Sequence, residues 1–437
     1  YILLGKLTSA PGQHEQLVML FHLFRFGGIF FLAYATYYFV ALYLNQLFYR
    51  KLALAICLLG GGLGWLALLG GGDNALELYS PETFGFLSVY GIPHLLFSRA
   101  LLLWGLYIFL TRPHDLKRIL LIAFLWILMG FFQPLTITIG WAVLGAYLAM
   151  RWLLERDRSQ KGLFNANWLE SMRGYILIVI LTAPWVLYNF LSFQWDAYLR
   201  GWYEQNIILS PTPLYYLISL GIFLPAVVWS AKKIIDGKQQ NAYLLLGWAL
   251  IFPVLIYLPT HVQRRMAEGF WPVLIILMLL PLTEKDRLKK GWVLAGSLPL
   301  WGGSFILLAG GILAALTPAS PLFISRDASD VFAYLRQNAS GGQVVLASYE
   351  LSNALPAWTP QQVLSGHGPE SIHFKEVKAD VDAFYVSENA LEQLKLIHKY
   401  QVSYVIYDHG RKSHNPFLLN VFETGEYSLY QVQGGIR

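Results

Sequence analysis

The chain repeatedly runs for about twenty residues without the charges that a water-facing segment carries, and this repeat limits what it can become. Ten such runs can be drawn, at about 27–46, 52–71, 94–111, 117–133, 135–152, 174–193, 213–231, 240–259, 268–283 and 291–316. Wound as a helix, each approaches the roughly 30 Å hydrocarbon thickness of a bilayer, where a helix satisfies its own backbone groups. Residues 117–152 also fit one hairpin kinked at Gln133-Pro134, and 268–283 is short for a span. The composition is 56% apolar and only 13% charged, against roughly 45–50% and 25% in soluble domains. A water-soluble globule is excluded, and the expected fold is an α-helical polytopic membrane bundle of about ten transmembrane helices with a small C-terminal α/β soluble domain.

Lys and Arg alternate between the connections. Positions 50–51, 112–118, 151–173, 232–238 and 285–290 hold seventeen of them, whereas 72–99, 133–136, 194–212 and 260–267 hold four, namely Arg99, Arg200, Arg264 and Arg265. Basic residues stay on the cytoplasmic side of a membrane. The first set is therefore expected inside, with 1–26 and everything after about 316 outside. A chain that begins outside with Tyr1 and no signal segment is expected to continue a longer one, with an odd number of spans upstream.

After Pro318 the composition turns polar and short apolar runs alternate with helical patterns. The expected organisation is a multi-span domain at 1–317 and an extracytoplasmic α/β domain at 318–437. Within the latter, 325–338 reads as a capped helix, 344–347 as a strand, 379–400 as one or two helices, and 404–407 and 427–432 as strands. The single cysteine, Cys57, lies in an apolar run, which excludes an internal disulfide and a multi-cysteine metal site. The net charge of +6 is assigned to membrane orientation and not to nucleic acid.

Three outward loops carry polar groups that chemistry at a membrane surface needs. The first, 72–98, holds Asp73, Glu77, Glu82 and His94 with no basic residue. Its carboxylates suit a general base or a metal, or are acidic because such loops avoid Lys and Arg. The second, 194–211, interleaves Trp195, Tyr198, Trp202 and Tyr203 with Asp196, Arg200 and Glu204. It reads as an interface anchor, or as a shelf on which the C–H face of a sugar packs. The third, 260–269, places Arg264 and Arg265 side by side after Gln263. A guanidinium donates a planar fork that matches phosphate, so the pair suits a lipid headgroup or a lipid-linked phosphate. The turn-rich segment 366–370 reads as a structural loop, and no HExxH, P-loop, Gly-x-Ser-x-Gly or paired CxxC occurs.

Residues PHLLFS at 93–98, QRRMAEG at 263–269 followed by Pro272, LPAWTPQQVLSGHGPE at 355–370 and VSYVIYDHG at 402–410 resemble uncharacterised bacterial members of the GT-C superfamily of membrane glycosyltransferases. That superfamily includes the protein O-mannosyltransferases and the aminoarabinose lipid A transferase. The resemblance implies a plasma-membrane enzyme that moves a sugar from a polyprenyl-phosphate donor to an acceptor on the extracytoplasmic face. It implies an acidic catalytic residue in a first external loop, which would lie upstream of Tyr1. Within this chain Glu77, Glu82, His94, Asp196 and Glu204 are the candidate catalytic residues. Arg264, Arg265 and Gln263 are the candidates for the donor phosphate, and Gln133, Trp202 and Tyr203 for the cavity lining. The lipid-linked sugar is the expected substrate, the bilayer the expected partner, and no metal ligand is assigned. A transporter or flippase of a lipid-linked molecule and a non-catalytic assembly protein are the alternatives.

Overall fold

The computed structural model describes residues 2–9, 12–72, 75–112, 115–155, 166–284, 289–368, 371–408 and 411–433. Two compact units emerge, one of Phe21–Trp195 with Ile207–Gly310, the other of Tyr1–Leu20, Asp196–Asn206 and Gly311–Arg437.

The first unit is helical, and the chain is read as a multi-pass membrane protein. Six helices are long and apolar enough to cross a membrane by length and composition: Gln13–Ala41, Pro93–Thr111, Leu135–Glu155, Ala166–Trp195, Pro213–Asp236 and Lys290–Leu316. Gln240–Leu255 and Phe270–Thr283 are shorter apolar helices, and Leu116–Phe132 adds seventeen residues. The region 117–152 is thus two helices, because Pro134 has no N–H to continue the ladder and Gln133 turns extended at ψ 96°. Residues 52–71 do not form the single run expected of them. A helix over Leu47–Leu59 stops where Gly60 turns extended, and a short helix over Trp65–Leu69 follows. Glycines at 60, 61, 62 and 64 supply the backbone freedom for the break. Close helix approach elsewhere rests on small residues: Gly105 and Gly140 both face the buried Trp126 ring, and a Cβ at Gly140 would lie 2.7 Å from it.

The second unit is built on a five-stranded sheet: β1 (Val344–Leu346), β2 (Gln362–Val363), β3 (Val402–Tyr407), β4 (Leu418–Glu423) and β5 (Ser428–Val432), in the order β2-β1-β3-β5-β4. The first three are parallel, and β5 and β4 close the sheet antiparallel. Alternation along the strands divides the core. Val345, Tyr404, Ile406 and Leu429 pack with Val331, Phe332 and Leu335 of the helix Arg326–Asn338 and with Leu351 and Leu355 of Tyr349–Trp358. Leu346, Val405 and Tyr430 pack with Phe384 and Ile397 of Phe374–Val386 and Ala390–Lys399. The helix expected from 325 starts on Ser325, whose hydroxyl accepts from Ala328 N–H. The stretch 379–400 is two helices, the first beginning at Phe374. The helix Tyr349–Trp358 and the strands β2 and β4 were not expected; Pro356 lies inside the first and disguises it.

Two further stretches join this unit. The His14 ring stacks on Trp358 at 3.9 Å, with Nδ1 2.7 Å from Ala357 O. The helix Ala197–Gln205 bonds it through Gln205 Nε2, which donates to Ser371 O at 2.9 Å.

Candidate functional site

Within the helical unit, two connections converge on a group of opposite charges. One is 75–84, which contains the 3₁₀ turn Leu76–Leu78 and leads into the helix Gly85–Gly91. The other is 258–268, which contains the 3₁₀ turn Gln263–Ala267. Backbone bonds from Ile208 N to His261 O (2.6 Å) and from Arg264 N to Ile208 O (3.2 Å) fix the second. Gln263 acts as a strut: Nε2 donates to Leu258 O at 3.0 Å, and Oε1 accepts from Ser210 N at 3.2 Å.

That framework sets Arg264 between Glu82 and Tyr79. Arg264 Nε lies 3.6 Å from Glu82 Oε2, and the guanidinium carbon sits 5.0 Å above the Tyr79 ring. The separation exceeds hydrogen-bond range, and both atoms are buried without a hydrogen-bond partner among the described residues. Arg264 keeps 20% of its side-chain surface exposed and Glu82 keeps 8%. An arginine held over an aromatic face beside a carboxylate, with a fifth of its side chain still exposed, is a residue type suited to phosphate oxygens. Burial raises the Tyr79 hydroxyl above its ordinary range, against the pull of Arg264.

Beneath this pair lies an ion pair that sequence reasoning missed. Arg99, six residues into the helix Pro93–Thr111, is buried, and its Nε donates to Glu268 Oε1 at 2.5 Å. Its Nη2 donates to Pro81 O (2.8 Å) and Glu82 O (3.0 Å), and its Nη1 to Phe84 O at 3.4 Å. One guanidinium thus ties the backbone of the Glu82 connection to the residue that closes the Arg264 turn. Glu268 precedes the helix Phe270–Leu279 and is fully buried, and burial outweighs Arg99 to push its carboxyl up to about 7. The signal was available: an arginine inside an apolar helix is costly and calls for a carboxylate partner.

Glu77 occupies a different place. Its Oε1 accepts from Trp65 N at 2.5 Å, and Gly61, Gly64 and Gly303 leave no room for a Cβ around it. Burial raises its carboxyl above the usual range, against the backbone hydrogen bonds it accepts. It reads as a buttress of the glycine break. His94 is half-buried at the start of its helix and close enough to Arg265 to feel that charge. Gln133 is buried where Leu116–Phe132 ends, and its amide finds no hydrogen-bond partner among the described residues.

The remaining candidates lie in the sheet-containing unit. Asp196 is the N-cap of Ala197–Gln205 and accepts from Tyr198 N (2.8 Å) and Leu199 N (3.0 Å). Trp202 and Tyr203 are half-buried and Glu204 is exposed on the same helix. Asp73 and the end of the segment 366–370 lie outside the described residues. No group of three or more His, Cys, Asp or Glu able to hold a metal occurs among the described residues.

No protein-family profile and no curated protein matches the chain. Among solved structures it is similar to the Archaeoglobus fulgidus oligosaccharyltransferase complexed with Zn and sulfate, at 11% identity over 90% of this chain and 56% of that one, with a TM-score of 0.48. The same enzyme tethered to an acceptor peptide gives 12% identity, 90% and 58% coverage and a TM-score of 0.49. Its complex with an inhibitory peptide and a dolichol-phosphate gives 12%, 90% and 59%, and 0.48. The chain spans less than two thirds of the length of each.

Proposed function

We propose that this chain is a membrane glycosyltransferase that moves a sugar from a polyprenyl-phosphate donor to an acceptor at the extracytoplasmic face of a bacterial plasma membrane. The observation that carries the reading is the Arg264 guanidinium held over Tyr79 and beside Glu82, braced from below by Arg99 and Glu268. Arg264 and Arg265 hold the donor phosphate, and Gln263 fixes the turn that presents them. In the transfer, the acceptor hydroxyl oxygen forms a bond to the anomeric carbon as the bond from that carbon to the phosphate oxygen breaks. The electron pair leaves on the phosphate, where the arginines stabilise the added charge. The hydroxyl proton passes to a carboxylate, and Glu82 is the one that the fold sets beside Arg264. The outward placement of this site and of the 318–437 domain, and a count of about ten spans, rest on the basic asymmetry of the loops.

The test is binding and transfer by the full-length protein in micelles, with a polyprenyl phosphate as the binding probe. Arg264→Ala or Arg265→Ala is expected to weaken binding by roughly 1.5–3 kcal/mol per lost charge-assisted bond. Arg→Lys should restore part of it, since an ammonium has no fork. Glu82→Gln should lower transfer more than binding. A double alanine variant that binds the probe as the parent does would refute the phosphate role.

A further inference from the structure

Two other ion pairs of the helical unit are closed. Arg151 meets Glu155 as a fork, Nε to Oε1 at 2.9 Å and Nη2 to Oε2 at 3.1 Å, and Arg99 Nε reaches Glu268 Oε1 at 2.5 Å. The pair of Arg264 and Glu82 stands open. Its Nε and Oε2 are 3.6 Å apart, and neither atom has a hydrogen-bond partner among the described residues although both are buried.

The gap does not come from slack in the backbone. On one side Arg264 N donates to Ile208 O at 3.2 Å, and Gln263 Nε2 ties the same turn to Leu258 O at 3.0 Å. On the other, Arg99 Nη2 holds Glu82 O at 3.0 Å. Both main chains are anchored, so closing or parting is left to the two side chains. Two features favour parting. The guanidinium lies over the Tyr79 ring at 5.0 Å, and the attraction of a cation for an aromatic face needs no hydrogen-bond angle, so the fork can turn without losing it. Arg264 is also the more exposed partner, 20% against 8% for Glu82, and is the one that an incoming anion meets first. An open pair has Coulomb attraction but no hydrogen bond to break, whereas a phosphate offers the fork two oxygens in matching geometry.

We infer that Glu82 and the donor phosphate are rival partners of Arg264, so that the arriving phosphate takes the guanidinium and releases Glu82 toward the acceptor hydroxyl. The inference rests on the phosphate and base roles proposed above and adds an order to them, donor before acceptor. A carboxylate beside a cation holds a proton less tightly than one set free. Arg264 therefore restrains the base until there is a sugar to transfer.

The test is a double-mutant cycle on the full chain in micelles, with a polyprenyl phosphate as the probe and its dissociation constant read by calorimetry. Glu82→Gln keeps the shape and removes the rival charge, so it should tighten binding roughly fivefold, the upper end for a partly exposed ion pair. Glu82→Ala removes the same charge with a different shape and should tighten it as much; a thermal melt of each variant identifies any that loses its fold. Arg264→Ala should weaken binding, and in that background Glu82→Gln should gain nothing, because no shared cation is left. A gain that persists there is plain repulsion between Glu82 and the phosphate, and overturns the rivalry. So does a folded Glu82→Gln protein that binds the probe as the parent does or less tightly, which would make Glu82 a support for Arg264. Failure of the phosphate role itself looks different: Arg264→Ala would then bind the probe like the parent, and the rivalry would fall with it.

Discussion

Replacing Arg99 by methionine keeps the apolar stem and removes the guanidinium, so it measures what one buried cation holds together. The loss has two parts. Glu268, fully buried, loses the one ionic partner it has among the described residues, and breaking one side of a buried pair costs roughly 3–5 kcal/mol. The carbonyls of Pro81 and Glu82 lose donors at 2.8 and 3.0 Å, a loss that overlaps with the first. Glu268→Gln keeps the shape and leaves Arg99 its carbonyl acceptors, so about 1–3 kcal/mol is expected. The double variant should cost less than the sum of the two by roughly 0.5–3 kcal/mol, because the pair is lost once. Melting of the full-length protein in micelles at pH 8, followed by tryptophan fluorescence, reads these differences. The carboxyl also sets a pH dependence. Its folded value, about 7, lies above the ordinary carboxylate value of 4.5, so the folded state binds the proton more tightly than the unfolded state. The stability it contributes is present below about pH 4.5, falls as pH rises toward 7, and is flat above. Glu268→Gln should flatten that slope. An Arg99→Met protein melting like the parent, or strict additivity of the two changes, would refute the brace.

The orientation is checked by single cysteines at Asp157 and Ser371 in a Cys57→Ala background, where a membrane-impermeant maleimide on intact cells should label Ser371→Cys and spare Asp157→Cys; the reverse pattern overturns it. Residues 318–437 expressed alone should be soluble and melt cooperatively, and a broad transition would show dependence on the rest of the chain. In that domain Lys399 and Tyr400 hold the Asp380 carboxyl below its ordinary value, so the stability it contributes should be lost as pH falls through the acid range, and Asp380→Asn should blunt the loss. Gly85→Ala should lower the melting midpoint, since its Cβ would run into the carbonyl of Cys57, whereas Gly91, with open space beside it, should accept alanine without loss.

Length and apolarity foretold the helices because a span is a one-dimensional property, readable from consecutive residues. The break after Leu59 escaped because leucines flank it on both sides, and hydropathy does not record that Gly60 to Gly64 free the torsions. The strand β4 escaped for a related reason: LLNVFE lies at the sheet edge and shows no clean alternation. At the site, Gln263 and Arg264 were visible as polar residues at a membrane boundary, and Glu82 as an acid on the same expected side. Their pairing was not, since some 180 residues separate Glu82 from Arg264 and proximity is decided only when helices pack. Arg99 was counted with the loops, although its place six residues inside a helix already required an acidic partner. Asp196 had the position of a cap, directly ahead of a helical pattern, and its backbone bonds account for it.

The stacking of His14 on Trp358 has a consequence for how the protein is made. The two halves of this contact are more than 340 residues apart, so at roughly 5–20 residues per second the histidine waits some 17–70 s on the ribosome before its partner exists. The helix Ala197–Gln205 waits in the same way for Ser371. During that interval both stretches present ring surfaces and unspent donors, and these are the first places where a chaperone, or a neighbouring copy still under synthesis, would find purchase.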